Sequence, residues 1–172
     1  MKKKISIIAT FRNEEECIDE FISRINNSFK KSNNIDYELI FIDDFSNDLS
    51  NSLIKKACIK NKKIKLITLK KNYGSNPSIQ TGFDFVNDKN YAAVISCDLQ
   101  EPPELIAQNF SKIKKKQTIH FVNKKREDPF FQKFYTNIAY LVLHFISEGK
   151  IIMANHFKII PPRVVRKIKK NT

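Results

Sequence analysis

The stretch YAAVISCDLQEPPEL, residues 91–105, decides how the chain is read. Tyr91 to Ile95 is a short apolar run, as expected of a strand covered on both faces. Polar atoms first appear at Ser96, Cys97 and Asp98. Leu99-Gln100-Glu101 then leads into Pro102-Pro103, residues that lack a backbone donor and often open a helix. A carboxylate at the carboxyl end of a central strand, just ahead of a helix, lies where open α/β sheets bind ligands. A turn Asp that only caps the next helix fits this fragment equally well. The rest of the chain decides between the two.

Upstream, the same strand–loop–helix unit recurs three times. Ile5 to Ala9 reads as a first strand, followed by the loop Thr10-Phe11-Arg12-Asn13. Asn13 with Glu16 resembles a capping box, and Glu14, Glu15 and Glu16 suit a helix amino terminus. Ile18, Phe21, Ile22, Ile25 and Phe29 follow helical spacing. Tyr37 to Ile42 reads as a second, fully covered strand ending in Asp43-Asp44. Adjacent carboxylates disfavour each other's ionisation, so a positive or hydrogen-bonding partner is expected there. Ser46 or Asn47 would cap the following helix, whose apolar face is Leu49, Leu53, Ile54, Ala57 and Cys58. Ile64 to Leu69 is a third strand. The loop Lys70 to Asn76 follows, with Pro77 suited to a first helical position and Gly82 permitting close packing or a ligand's approach. Downstream, Leu105, Ile106, Phe110 and Ile113 mark a helix ending in Lys114–Lys116, and Thr118 to Val122 reads as a fifth strand.

Strands alternating with helices imply an α/β domain, a mostly parallel sheet with helices on both faces. Its carboxyl edge would gather Arg12-Asn13-Glu14, Asp43-Asp44, Lys71-Asn72 and Asp98 on one rim. With 172 residues the chain is one domain by length. The net charge of +13 suggests an anionic partner or a lysine-rich solvated surface. No aromatic–basic strand motif supports nucleic acid. Three glycines cannot form a GxGxxG or a P-loop. Three scattered cysteines form no CxxC pair, which fits a reducing cytoplasm. No run reaches the roughly 18 apolar residues of a membrane span.

With these elements in place, the chain resembles a family-2 glycosyltransferase of the GT-A fold, most like the branch that glycosylates polyprenyl phosphates (dolichol-phosphate mannose synthase-like). ISIIATFRNEEECI (5–18) resembles the opening strand and N-E-E loop, and FIDDFSND (41–48) the D-D-x-S-x-D element. LKKNYGSNPSIQTGFDF (69–85) resembles the R-N-x-G loop and its helix. SCDLQEPPELI (96–106) resembles D-x-D-L-Q-x-P-P-E, and NKKREDPFFQKFYTNIAYLVL (123–143) the segment that follows. The resemblance implies one domain over 1–172, with 1–123 as nucleotide-binding core and 124–172 as acceptor-side, membrane-proximal segment. It implies a nucleoside-diphosphate sugar donor, UDP- or GDP-linked, an inverting transfer, and a polyprenyl phosphate or glycan acceptor. Thr10, Arg12, Asn13, Glu14, Asp43, Asp44, Asn72 and Gly74 map to the nucleotide-sugar pocket. Arg126 maps to a phosphate-contacting arginine. Ser96, Asp98 and Gln100 map to the ligands of Mg2+ or Mn2+, with Asp98 also in a catalytic role.

Two departures from the pattern bear on chemistry. Ser96 stands where D-x-D has its first Asp, leaving one carboxylate. Where the branch carries G-D-F, with the Asp offered as base, this chain has Asn155-His156-Phe157. His156 is therefore a candidate catalytic base, or a packed histidine without a role. The helically spaced aromatic run Phe130 to Ile146 would pack on the sheet, lie on a membrane surface, or drive assembly into a homo-oligomer. PPRVVRKIKK reads as a short basic helix. The expected location is cytoplasmic, at the inner face of the cell membrane. The competing reading is a catalytically weak, truncated remnant that still binds nucleotide.

Overall fold

The structure is a computed structural model of the chain and describes residues 3–30, 35–113, 117–121 and 156–170. Its elements belong to one compact unit made of residues 1–120 and 156–172. In chain order they are β1 (Lys3–Phe11), α1 (Ile18–Lys30), β2 (Ile35–Asp43), α2 (Ser50–Lys60), β3 (Ile64–Thr68), α3 (Ser75–Asp84), β4 (Tyr91–Ser96), α4 (Glu104–Phe110), β5 (Ile119–His120), β6 (Lys158–Ile160) and α5 (Pro162–Lys170). The sheet order is β3-β2-β1-β4-β6-β5. The first four strands are parallel, and β6 runs antiparallel to both β4 and β5.

Apolar runs on β1, β2 and β4 are buried on both sides, which is why they lack the alternation of a one-sided sheet. One layer of the core joins Ile8, Ile40, Ile42, Ala92 and Val94 of the sheet to Ile79 and Phe83 of α3 and Val165 of α5. Residues of opposite parity, among them Ile7, Leu39 and Phe41, serve the other side with Ile18, Phe21 and Ile25 of α1. There the Arg24 guanidinium grips the Glu104 carboxylate through Nε (2.5 Å) and Nη2 (2.8 Å), tying α1 to α4.

Several expectations change in detail. Asn13 and Glu16 form no capping box: α1 begins only at Ile18, and Asn13 holds a left-handed backbone (φ 56°). Neither Ser46 nor Asn47 caps α2; the Asp48 carboxylate accepts both the Ser50 amide (3.0 Å) and hydroxyl (2.8 Å). Leu49, expected on the buried face, is 64 % exposed. The fifth strand is Ile119–His120 among the described residues, Val122 lying outside them, and β6 is a strand the apolar pattern did not announce, being three residues long before a proline. Arg126, the aromatic run 130–146 and Asn155 lie outside the described residues.

At the amino edge, the Ser6 hydroxyl donates to Glu38 Oε1 (2.6 Å), Asn90 Nδ2 donates to the same oxygen (3.2 Å) and to Ser6 (3.1 Å), and Lys65 Nζ donates to Oε2 (2.9 Å). Burial pushes the Glu38 carboxyl up, but the Ser6 hydroxyl and the Lys65 ammonium outweigh it, so it titrates below its ordinary value. A depressed carboxyl contributes stability that is present above its unfolded pKa and lost as pH falls through its folded pKa. Thermal melts of wild type and Glu38→Gln are therefore expected to differ most near neutrality and to converge on the acid side of the ordinary carboxylate range. A gap that stays constant into acid would refute this account.

Candidate functional site

The strand order reverses between β1 and β4, because α1 and α2 lead the chain one way from β1 and α3 brings it back to β1's other side. At such a switch point the loops on neighbouring strands part and leave a crevice at their carboxyl ends. Thr10 and Ser96 face each other in register across it, and the Cys97 amide donates to the Thr10 carbonyl (3.1 Å). The loops carrying Arg12-Asn13-Glu14, Asp43-Asp44, Asn72-Gly74 and Ser96-Asp98-Gln100 thus share the carboxyl edge of the four parallel strands, as expected.

Side chains knit these loops together. The Asn13 amide donates to Ser46 Oγ (3.0 Å), and the Asn47 amide donates back to Asn13 Oδ1 (2.9 Å). The Glu14 amide donates to the buried Ser50 hydroxyl (2.8 Å), which itself donates to Asp48. Glu15 and Asp48 exchange partners: the Glu15 amide reaches Asp48 Oδ2 (3.1 Å), and the Leu49 amide reaches Glu15 Oε2 (2.7 Å). Burial raises the Asp48 carboxyl, but the Ser50 hydroxyl and the Ser50 and Glu15 amides more than reverse it. Asp48 and Ser50 were not singled out from the sequence, and Ser46 only as a helix cap; the Ser and the last Asp of D-D-x-S-x-D were the available signal.

The adjacent carboxylates find hydrogen-bonding partners rather than cations. Asp43, almost fully buried, accepts the Ser46 amide (2.8 Å) and Asn51 Nδ2 (2.6 Å), and Asn51 also reaches Thr68 Oγ1 (2.8 Å). Asp44 accepts the amides of Tyr73 and Gly74, each at 2.8 Å. It thereby fixes the loop that carries Asn72 and opens α3, with Gly74 at φ 86°. Among the described residues, three others adopt left-handed φ: Asn13 (56°), Phe45 (66°) and Leu99 (58°), each in a rim loop. For a bulky residue this costs on the order of 1–3 kcal/mol and survives only where neighbours hold it.

Asp98 is half-buried, and its Oδ1 accepts the Gln100 amide (3.1 Å) across the Leu99 turn; it does not cap α4, whose first turn follows Pro103. Burial raises the Glu14 carboxyl, helped by the negative charge of Asp98 and Asp48. Burial also pushes the Cys97 thiol well up, which keeps it unreactive. His156 precedes β6. Continuing the β4–β6 register by two residues from Val94–Lys158 sets it level with Ser96, on the same edge.

Among the described residues, no group of three or more His, Cys, Asp and Glu side chains is placed to hold a metal ion. One carboxylate (Asp98), one amide (Gln100) and one hydroxyl (Ser96) fit a hard cation that takes its remaining ligands from phosphate and water. Among the same residues, no helix is long and apolar enough to cross a membrane.

The family model described as glycosyl transferase family 2 matches residues 6–167. The uncharacterized glycosyltransferase YkcC of Bacillus subtilis (strain 168) is 29 % identical over 168 residues, covering 96 % of this chain and 51 % of its own. The chain thus spans about half the length of that curated relative. Glucosyl-3-phosphoglycerate synthase from Mycobacterium tuberculosis, solved with uridine diphosphate, aligns with a TM-score of 0.64 at 15 % identity over 94 % of this chain and 58 % of that one. The mannosyltransferase PcManGT from Pyrobaculum calidifontis, solved with GDP-Man and Mn2+, aligns with a TM-score of 0.58 at 14 % identity over 74 % and 37 %. At these identities the likeness is one of fold, and the fold is of the GT-A type.

Proposed function

This chain belongs to glycosyl transferase family 2, and from that premise we propose that it is the donor-binding part of an enzyme moving a sugar from a nucleoside-diphosphate sugar to a polyprenyl phosphate or glycan. The observation that carries the reading is the convergence of four loops on the β1/β4 switch point, with Asp44 on one side and Asp98 on the other. Thr10, Arg12, Asn13, Glu14, Asp43, Asp44, Asn72 and Gly74 would line the nucleoside side. Arg126 would meet phosphate, since a guanidinium binds phosphate in a bidentate manner.

The leaving nucleoside diphosphate gains negative charge as the sugar bond breaks. Bound Mg2+ or Mn2+ supplies neutralisation of that charge. Asp98, Gln100 and Ser96 would hold the cation. His156, level with Ser96, would take a proton from a sugar hydroxyl during inversion. A lipid-phosphate acceptor needs no such base, because its second pKa of about 6 leaves it charged at neutral pH. Action on a lipid acceptor would place the protein at the cytoplasmic face of the membrane, in cell-surface polysaccharide synthesis.

Calorimetric titration of the chain with UDP and with GDP, each with and without Mn2+, tests the reading. Metal-enhanced binding of one nucleotide is expected and identifies the donor's base. No binding of either by the folded chain overturns it. Metal-independent binding without sugar transfer would favour the catalytically weak remnant, the second reading, which the single carboxylate at Ser96–Asp98 supports.

A further inference from the structure

Phe45 combines a strained backbone with an exposed ring. Its backbone is left-handed at φ 66°, and its ring is 51 % exposed, so packing does not compensate the strain. An exposed phenylalanine alone is ordinary. A bulky residue held in this region, where glycine or asparagine would be at ease, is not. Asn13 is a residue type that tolerates left-handed φ, and Leu99 forms the turn closed by Asp98 and the Gln100 amide. Phe45 likewise sits in a turn closed by a carboxylate, Asp43 accepting the Ser46 amide, but of the three it alone is a large aromatic residue.

Its neighbours leave it no freedom. The Asp44 amide donates to the Phe11 carbonyl (3.0 Å), the Ser46 amide to Asp43 (2.8 Å), and the Ser46 hydroxyl accepts the Asn13 amide (3.0 Å). The rim therefore fixes the Phe45 backbone next to Asp44 and leaves its side chain exposed. Tyr73, also about half exposed, is tied to the same Asp44 carboxylate through its amide, with Lys71 Nζ 5.0 Å from its ring centroid. Two exposed aromatic residues are thus joined to Asp44, one by the chain and one by a hydrogen bond.

An exposed aromatic residue on a backbone fixed at this rim suits a flat heteroaromatic ligand, because its ring offers a stacking face. We propose that Phe45 is the stacking platform for the nucleobase of the nucleoside diphosphate, with Tyr73 bounding the same subsite. The inference rests on the donor-binding reading above and adds to it the residue that grips the base.

The chain contains no tryptophan, so a single one introduced at position 45 reports the contact directly. In Phe45→Trp, UDP or GDP with Mg2+ is expected to quench the emission saturably, with an affinity within about threefold of wild type. Phe45→Gly suits the left-handed backbone, keeps the melting temperature, and is expected to weaken nucleotide binding at least about tenfold. Wild-type affinity in Phe45→Gly overturns the inference. So does an unquenched Phe45→Trp under calorimetrically proven saturation. If the wild-type chain binds neither nucleotide, the donor-binding reading fails first and takes the platform with it.

Discussion

Asp98→Asn is expected to abolish the metal-dependent part of nucleotide binding while leaving the fold intact. Asp98 is the one carboxylate among Ser96, Asp98 and Gln100, so its loss leaves only neutral ligands for a divalent cation. The amide is isosteric and keeps an oxygen able to accept the Gln100 amide, so the Leu99 turn is preserved. A cation's stabilisation of charge on a leaving phosphate is worth several kcal/mol, so a loss of about 3 kcal/mol, roughly a hundredfold, is expected in Mn2+-enhanced affinity. Titration of UDP or GDP in the presence and absence of Mn2+ reads it. If the variant keeps the metal enhancement, Asp98 is not a ligand and the cation site lies elsewhere. A loss of binding both with and without metal would instead indicate that the loop had been disturbed.

Gly82→Val is expected to give the largest loss of stability. Helix propensity alone favours any such replacement, since glycine costs about 1 kcal/mol in a helix interior. Packing opposes it. A Cβ at position 82 would overlap Ile8 Cγ2, with Ile8 Cγ1 at 3.2 Å and Ile42 Cγ1 at 3.4 Å. Both isoleucines are fully buried and branched at Cβ, so neither rotates away cheaply. Overpacking of this kind costs about 1–3 kcal/mol, and valine adds two further methyls to the overlap. A net loss of about 3 kcal/mol would lower the melting temperature by about 6–12 °C in a chain of this size. Gly82→Ala should fall between, its propensity gain offsetting part of the clash. An unchanged melting temperature in the valine variant would disprove the close approach of α3 to β1. The effect reaches the site as well, because α3 starts at Gly74 and its displacement pulls the Tyr73 and Gly74 amides from Asp44.

The parts of this molecule legible in its sequence were those fixed by local periodicity. Apolar runs such as Leu39-Ile40-Phe41-Ile42 and the helical spacing of Ile18, Phe21, Ile25 and Phe29 report burial directly, and each lies where expected. The rim followed from topology, since parallel strands place all their carboxyl ends together. What periodicity could not carry was partnership. Asn13 and Ser46 looked like helix caps because a cap needs only a short polar side chain near a helix start, and Asp48 and Ser50 were not singled out. In the fold those residues, Ser50 itself the first residue of α2, bind one another's loops across 33 to 36 positions of sequence, which no window of neighbours reveals. β6 was hidden for a related reason: Lys158-Ile159-Ile160 is too short to show a period, and only its pairing with β4 makes it a strand.

That pairing has a consequence for how the chain is made. β4 leaves the ribosome roughly sixty residues before β6, on the order of 3–12 seconds at about 5–20 residues per second. Until then the outer edge of β4 at Ala92–Val94 has no strand to cover it, and it is apolar on both faces. An open, hydrophobic strand edge is a template for another chain. The strand that delivers Asp98 to the rim is thus exposed to aggregation during synthesis until the three residues of β6 cover its edge.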